Sequence, residues 1–173
     1  MFDSPFRKAN ETNKSSAAAD SALRELRRIV LSKGSRAQKL RQVAETLRAS
    51  GGYRWVGLYD VERHRGVVSN VVWVGPGAPQ YPEFPINKGL TGRAIQTGST
   101  VNAGDVTMDS DYLTALGTTK SEIILPVIDD QGSVVGTVDV ESEIHNAFGP
   151  EVQRFLERCA EVVRPLWGGR LER

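Results

Sequence analysis

The sequence predicts one α+β domain built around an antiparallel sheet, and three observations carry that expectation. Apolar residues recur at three- and four-residue spacing near both ends of the chain, which is the helical period. Between them lie runs with a period of two, grouped in pairs around short polar turns, which is the signature of hairpins. The length of 173 residues matches one domain of ordinary size plus a tail, at roughly 150 residues per domain.

Residues 1–15 are polar and read as a disordered N-terminal arm, because they offer little apolar surface against the entropy of ordering. Residues 16–34 read as an N-terminal helix with Leu23, Leu26, Ile29 and Val30 on one stripe, ended by Lys33-Gly34. Ser35 caps a second helix striped by Leu40, Val43, Ala44 and Leu47, and Gly51-Gly52 stops it. Tyr53, Trp55, Gly57 and Tyr59 then share one face of a strand, with Arg54, Val56 and Leu58 on the other. Residues 66–74 form its hairpin partner. Pro76, Pro79, Pro82 and Pro85 follow at intervals of three and read as a stiffened connection. Residues 89–97 form a short helix, 99–103 a short strand, and 105–119 a loop or irregular helix. Residues 121–128 and 133–141 flank Asp129-Asp130-Gln131-Gly132 as a second hairpin. Pro150 opens the last helix, whose stripe includes Phe155, Leu156, Cys159 and Val163.

Composition narrows the function classes. A net charge of +1 excludes bulk electrostatic attraction to nucleic acid or to an anionic membrane, so neither is expected as a partner. The single Cys excludes an intrachain disulfide framework and a cysteine-based zinc site, and His64 and His145 lack metal-ligand spacing, so no metal is expected. No stretch is apolar and long enough to span a bilayer, and the first twenty residues have no signal-peptide pattern, so the expected location is the cytoplasm.

The most informative group is acidic. With a tight turn, hairpin partners sum to 261, so Glu122 faces Asp139 and Ile124 faces Thr137. Glu141 points to the same side, while Val134, Val138 and Val140 line the other face. Carboxylates placed opposite one another repel; the cluster must raise a pKa, face water, or hold a cation or hydrogen-bond donor. A solvated sheet face, or pairing with nearby Arg or Lys, satisfies the same pattern.

The segments Gly89-Leu90-Thr91-Gly92-Arg93-Ala94, Thr97-Gly98, Asp105-Val106 and Asp109-Ser110-Asp111-Tyr112 resemble the middle of a GAF domain. Ser121-Glu122-Ile123-Ile124-Leu125-Pro126-Val127 and Gly136-Thr137-Val138-Asp139-Val140-Glu141-Ser142 resemble its C-terminal half, so residues 35–168 are identified as a GAF-like domain. The resemblance implies a PAS-related central antiparallel sheet of about five or six strands. It further implies helices from both termini packed on one face, a loop-covered pocket on the other, and homodimers formed through the first and last helices. The segments at residues 53–59 and 121–123 are similar to single-domain free methionine-(R)-sulfoxide reductases, which carry cysteines in the pocket. Here Leu90 and Thr91 stand in the stretch where such a cysteine is expected, and residues 113–119 contain none.

The reading that follows is a non-catalytic sensory or signalling domain that binds a small polar ligand, amine or amino-acid-like, and acts as a homodimer. Its expected ligand-binding residues are Glu122, Asp139 and Glu141 with the aromatic side chains Trp55, Tyr59, Trp73 and Tyr112. No catalytic residue is assigned, and the residues specify no cofactor. Two alternatives stand beside it: a reductase of the methionine-sulfoxide type, and an interaction or dimerisation module with a vestigial pocket.

Overall fold

The computed structural model describes residues 5–113 and 117–168. Helix α1 (Pro5–Leu31) begins well before residue 16, so the stretch expected as an arm is helical from Pro5 on. Residues 1–4 lie outside the described residues. The sequence between Phe6 and Lys33 contains no Gly or Pro to stop a helix, and Ala17-Ala18-Ala19 favours one. Helix α2 (Arg36–Gly51) opens on a capping box. The Gln38 N–H donates to Ser35 Oγ at 3.2 Å, and the Ser35 N–H donates to Gln38 Oε1 at 2.9 Å. Gly52, at φ 63°, closes α2 by donating its N–H to the Arg48 carbonyl.

Among the described residues six strands form one antiparallel sheet in the order β3-β2-β1-β6-β5-β4. They are β1 (Trp55–Glu62), β2 (Val67–Val74), β3 (Glu83–Pro85), β4 (Val101–Ala103), β5 (Ser121–Ile128) and β6 (Val134–Ser142). Helix α3 (Gly89–Thr97) lies between β3 and β4 in the chain, and α4 (Pro150–Val163) follows β6. β3 arises inside the proline-rich connection, where an edge position leaves a proline nitrogen free of any ladder obligation.

The two faces of the sheet carry different cores. α1, α2 and α4 bury Leu26, Leu40, Leu47, Leu156 and Val163 against Val56, Leu58, Ile123, Val138 and Val140. Trp55, Tyr59, Val68, Ile95 and Val134 cluster separately on the other side. Two expected placements therefore change. Tyr53 precedes β1 and packs its ring 5.7 Å from Phe148 in the helix-side core, away from Trp55 and Tyr59. Val134 belongs with Trp55 and Tyr59, because an irregularity between Val127 and Ile128 in the β5–β6 pairing changes the alternation near the turn.

That irregularity also corrects the register. Glu122 faces Glu141, and Asp139 faces Ile124, in place of the expected Glu122–Asp139 and Ile124–Thr137 pairs. The turn occupies residues 129–133, where Asp129 Oδ1 accepts from the N–H groups of Gln131 and Ser133, both at 2.9 Å. The turn is one residue longer than expected and moves the pairing by one position, and the irregularity adds a second, so beyond it the total shift of two leaves every side chain on its original face.

Candidate functional site

Successive odd positions of β6 place Thr137, Asp139 and Glu141 on the face away from the long helices, and β5 adds Glu122 to the same face. All three acids are buried: Glu122 is 6% exposed, Asp139 3% and Glu141 0%. Their neighbours are threonine hydroxyls. Thr137 Oγ1 donates to Asp139 Oδ1 at 2.6 Å, and Thr91 Oγ1, from the first turn of α3, donates to Asp139 Oδ2 at 3.2 Å. Thr119 Oγ1 donates to Glu141 Oε2. Glu141 Oε1 is buried with no hydrogen-bond partner among the described residues. Among the described residues no Lys, Arg or His is ion-paired with any of the three acids.

Removal from water dominates the electrostatics. Burial pushes Asp139 up to about 7, opposed by the hydroxyls of Thr137 and Thr91. Burial likewise pushes Glu141 up to about 7 against its bond from Thr119. Glu122 rises well above the usual carboxylate range through burial first, then the charges of Glu141 and Asp139. The buried acids thus retain protons that exposed carboxylates would have lost by neutrality. Burial and the same three acids also push the Tyr59 phenol upward.

Glu122, Asp139 and Tyr59 line a narrow cavity of about 30 Å³, closed by Tyr81 and Phe84 on one side and by Leu90, Thr91 and Leu113 on another. The remaining expected site residues surround it without lining it. Glu141 sits beside Trp55, its partner across the β1–β6 ladder. Trp55 is fully buried, and its indole N–H donates to the Gly77 carbonyl at 3.0 Å. A Cβ at Gly57 would overlap the Trp55 ring, so glycine there lets the indole lie across the strand. Trp73 is half-buried against the Trp55–Tyr59 cluster, and Tyr112 packs on the cluster of Leu90, Ala94, Val101 and Ile124.

Tyr81, Phe84 and Leu113 enter the site without any sequence signal, since each sits in a stretch read as a connection. The acid-holding Thr91, Thr119 and Thr137 come from three segments, and no spacing links them. Cys159 stands apart: it is 1% exposed in the helix-side core, where burial pushes its thiol up to about 12. Among the described residues no helix is long and apolar enough to cross a membrane, and no group of three or more His, Cys, Asp or Glu is arranged to hold a metal ion.

An antiparallel sheet with long helices on one face and a polar cavity beneath loops on the other defines an α+β ligand-pocket class of domain. The chain belongs to the GAF domain family, whose model matches residues 35–164. It is 28% identical over 111 residues to the free methionine-R-sulfoxide reductase of Saccharomyces cerevisiae, covering 63% of this chain and 60% of that protein. It superposes on the free methionine-R-sulfoxide reductase of Neisseria meningitidis in complex with its substrate, with a TM-score of 0.81 and 25% identity, covering 89% of this chain and 90% of that one. The GAF domain of an Acinetobacter phosphoenolpyruvate-protein phosphotransferase shares the fold, with a TM-score of 0.75 at 16% identity over 84% of this chain and 90% of that one.

Proposed function

We propose that this GAF domain binds a small polar molecule carrying an amine, amino-acid-like in character, without transforming it chemically. It would serve as a sensory or signalling module in the cytoplasm, working as a homodimer. One observation carries the reading: three buried carboxylates converge with no cationic side chain paired to them among the described residues, where one oxygen, Glu141 Oε1, also lacks a partner. A ligand ammonium group supplies the missing charge and donors, and in a low-dielectric site that attraction is strong. The cavity is about 30 Å³, close to the size of a water molecule, so a ligand of amino-acid size requires the side chains that line it to rearrange.

The test is isothermal calorimetry against a panel of amines and amino acids, on the native chain and on Asp139→Asn. The expected result is saturable binding of at least one amine, weakened about tenfold or more by the substitution. Absence of binding across the panel, or affinities that Asp139→Asn leaves unchanged, would overturn the acidic-site reading.

A second reading, reduction of a methionine sulfoxide, is favoured by what the similar proteins from yeast and Neisseria are named. That chemistry needs a thiolate to attack sulfur and a second thiol to resolve the sulfenic acid. This chain has one Cys, on the far side of the sheet from the acids and protonated at neutral pH. The expected result is no turnover of free methionine sulfoxide with dithiothreitol. Turnover abolished by Cys159→Ser would establish the reductase reading instead.

A further inference from the structure

β4 pairs with β5 only from Val101↔Ile124 to Ala103↔Glu122, whereas β5 continues to Ile128. Upstream of β4 the chain turns away at Gly98, whose φ of 63° ends α3. The outer edge of β5 over residues 125–128 therefore has no partner strand among the described residues. A groove of about 660 Å³ opens there, bounded by residues 98–100 on one side and α4 on the other.

Its floor is apolar, formed by Leu125, Pro126, Ile128 and Ala160, and its rim is acidic, formed by Asp129, Glu157 and Glu161. Among the described residues the one basic lining residue, Arg164, is ion-paired with Asp130 at 3.1 Å. Glu157 is held in place by Thr100 Oγ1, which donates to it at 2.7 Å, and by Gln153 Nε2 at 2.9 Å. The rim thus presents fixed negative charge above an unpaired strand edge.

We propose that this groove docks a short extended segment of another protein, with Lys or Arg alternating with small apolar residues, laid along the open edge of β5. Strand addition supplies main-chain hydrogen bonds, and alternation sends one set of side chains to the apolar floor and the other to the acidic rim. The free edge spans about 13 Å at ~3.3 Å per residue, room for a segment of roughly four residues. The edge is short and Pro126 within it has no backbone N–H, so hydrogen bonding alone is a poor template and charge must select the partner.

The probe is a fluorescein-labelled peptide Arg-Val-Lys-Val-Arg, with Glu-Val-Asp-Val-Glu as its counterpart, titrated with the full chain in fluorescence anisotropy at low salt. Glu161→Lys and Ser99→Trp reverse a rim charge and fill the groove at two exposed positions, so unchanged melting curves will show that both variants fold. The expected result is binding of the basic peptide only, weakened about tenfold or more by each variant, with amide shifts in the NMR spectrum confined to residues 98–100, the edge and turn at 125–129, and residues 157–164 beside the groove. Equal binding of the acidic peptide, no binding of the basic one, affinity unchanged in both variants, or shifts elsewhere would overturn the proposal.

Discussion

Three carboxylates at Glu122, Asp139 and Glu141 share a buried patch, and hydroxyls rather than cations hold two of them. Asp139 titrates at 3.8 ordinarily and at about 7 in the folded chain, and Glu141 at 4.5 and about 7. In each case the folded state keeps its proton longer than the unfolded chain. Stability is therefore full below the ordinary value and is lost as pH rises through the folded one. At ~1.4 kcal/mol per unit, Asp139 alone accounts for up to ~4 kcal/mol of that loss. The ligand-free protein is expected to melt at a lower temperature at about pH 8 than at about pH 5. Glu122→Gln, which removes one of the opposed charges, is expected to raise the melting temperature at the higher pH and leave the lower one nearly unchanged. Calorimetric melts across this range check both outcomes. A bound ammonium ion reverses the trend, because it favours the ionised acids.

At the level of elements, the site depends on how strands and helix ends are held. Gly57, which faces Asp139 in the β1–β6 ladder, gives Trp55 room to lie across β1. Gly57→Ala is expected to cost ~1–3 kcal/mol by overpacking and to weaken ligand binding as the indole shifts. Ser35→Ala removes the cap of α2, on the opposite face, and is expected to cost ~1 kcal/mol while leaving ligand affinity unchanged. Urea denaturation together with calorimetry separates the two effects. Ser35 and Gly52 show that helix ends are legible from single residues, since both lie where cap chemistry requires them. The β5–β6 register was not legible in the same way. It depends on the Asp129 side chain building a turn longer than the tightest hairpin allows, and on the irregularity beside Ile128.

For the whole molecule, α1 and α4 pack side by side on one face of the sheet, and Leu31 at the end of α1 is 85% exposed. If this face pairs in the proposed homodimer, Leu31→Glu is expected to convert a dimer to a monomer, read by light scattering, with little change in the melting curve. The near-neutral composition matches a molecule whose charge is organised locally: an acidic cavity on one face and an acidic groove at the sheet edge.

The sequence by itself determined the order of elements apart from β3 and the start of α1, the shared side of Glu122, Asp139 and Glu141, and the lack of a second thiol, because periodicity and composition are local properties. Only the tertiary structure decided that those acids are buried and that Glu122 meets Glu141. It also brought Thr91, Thr119 and Tyr81 to them from separate segments. Those facts follow from long-range packing and turn geometry, which shape the surroundings of a side chain without leaving a period in the chain around it.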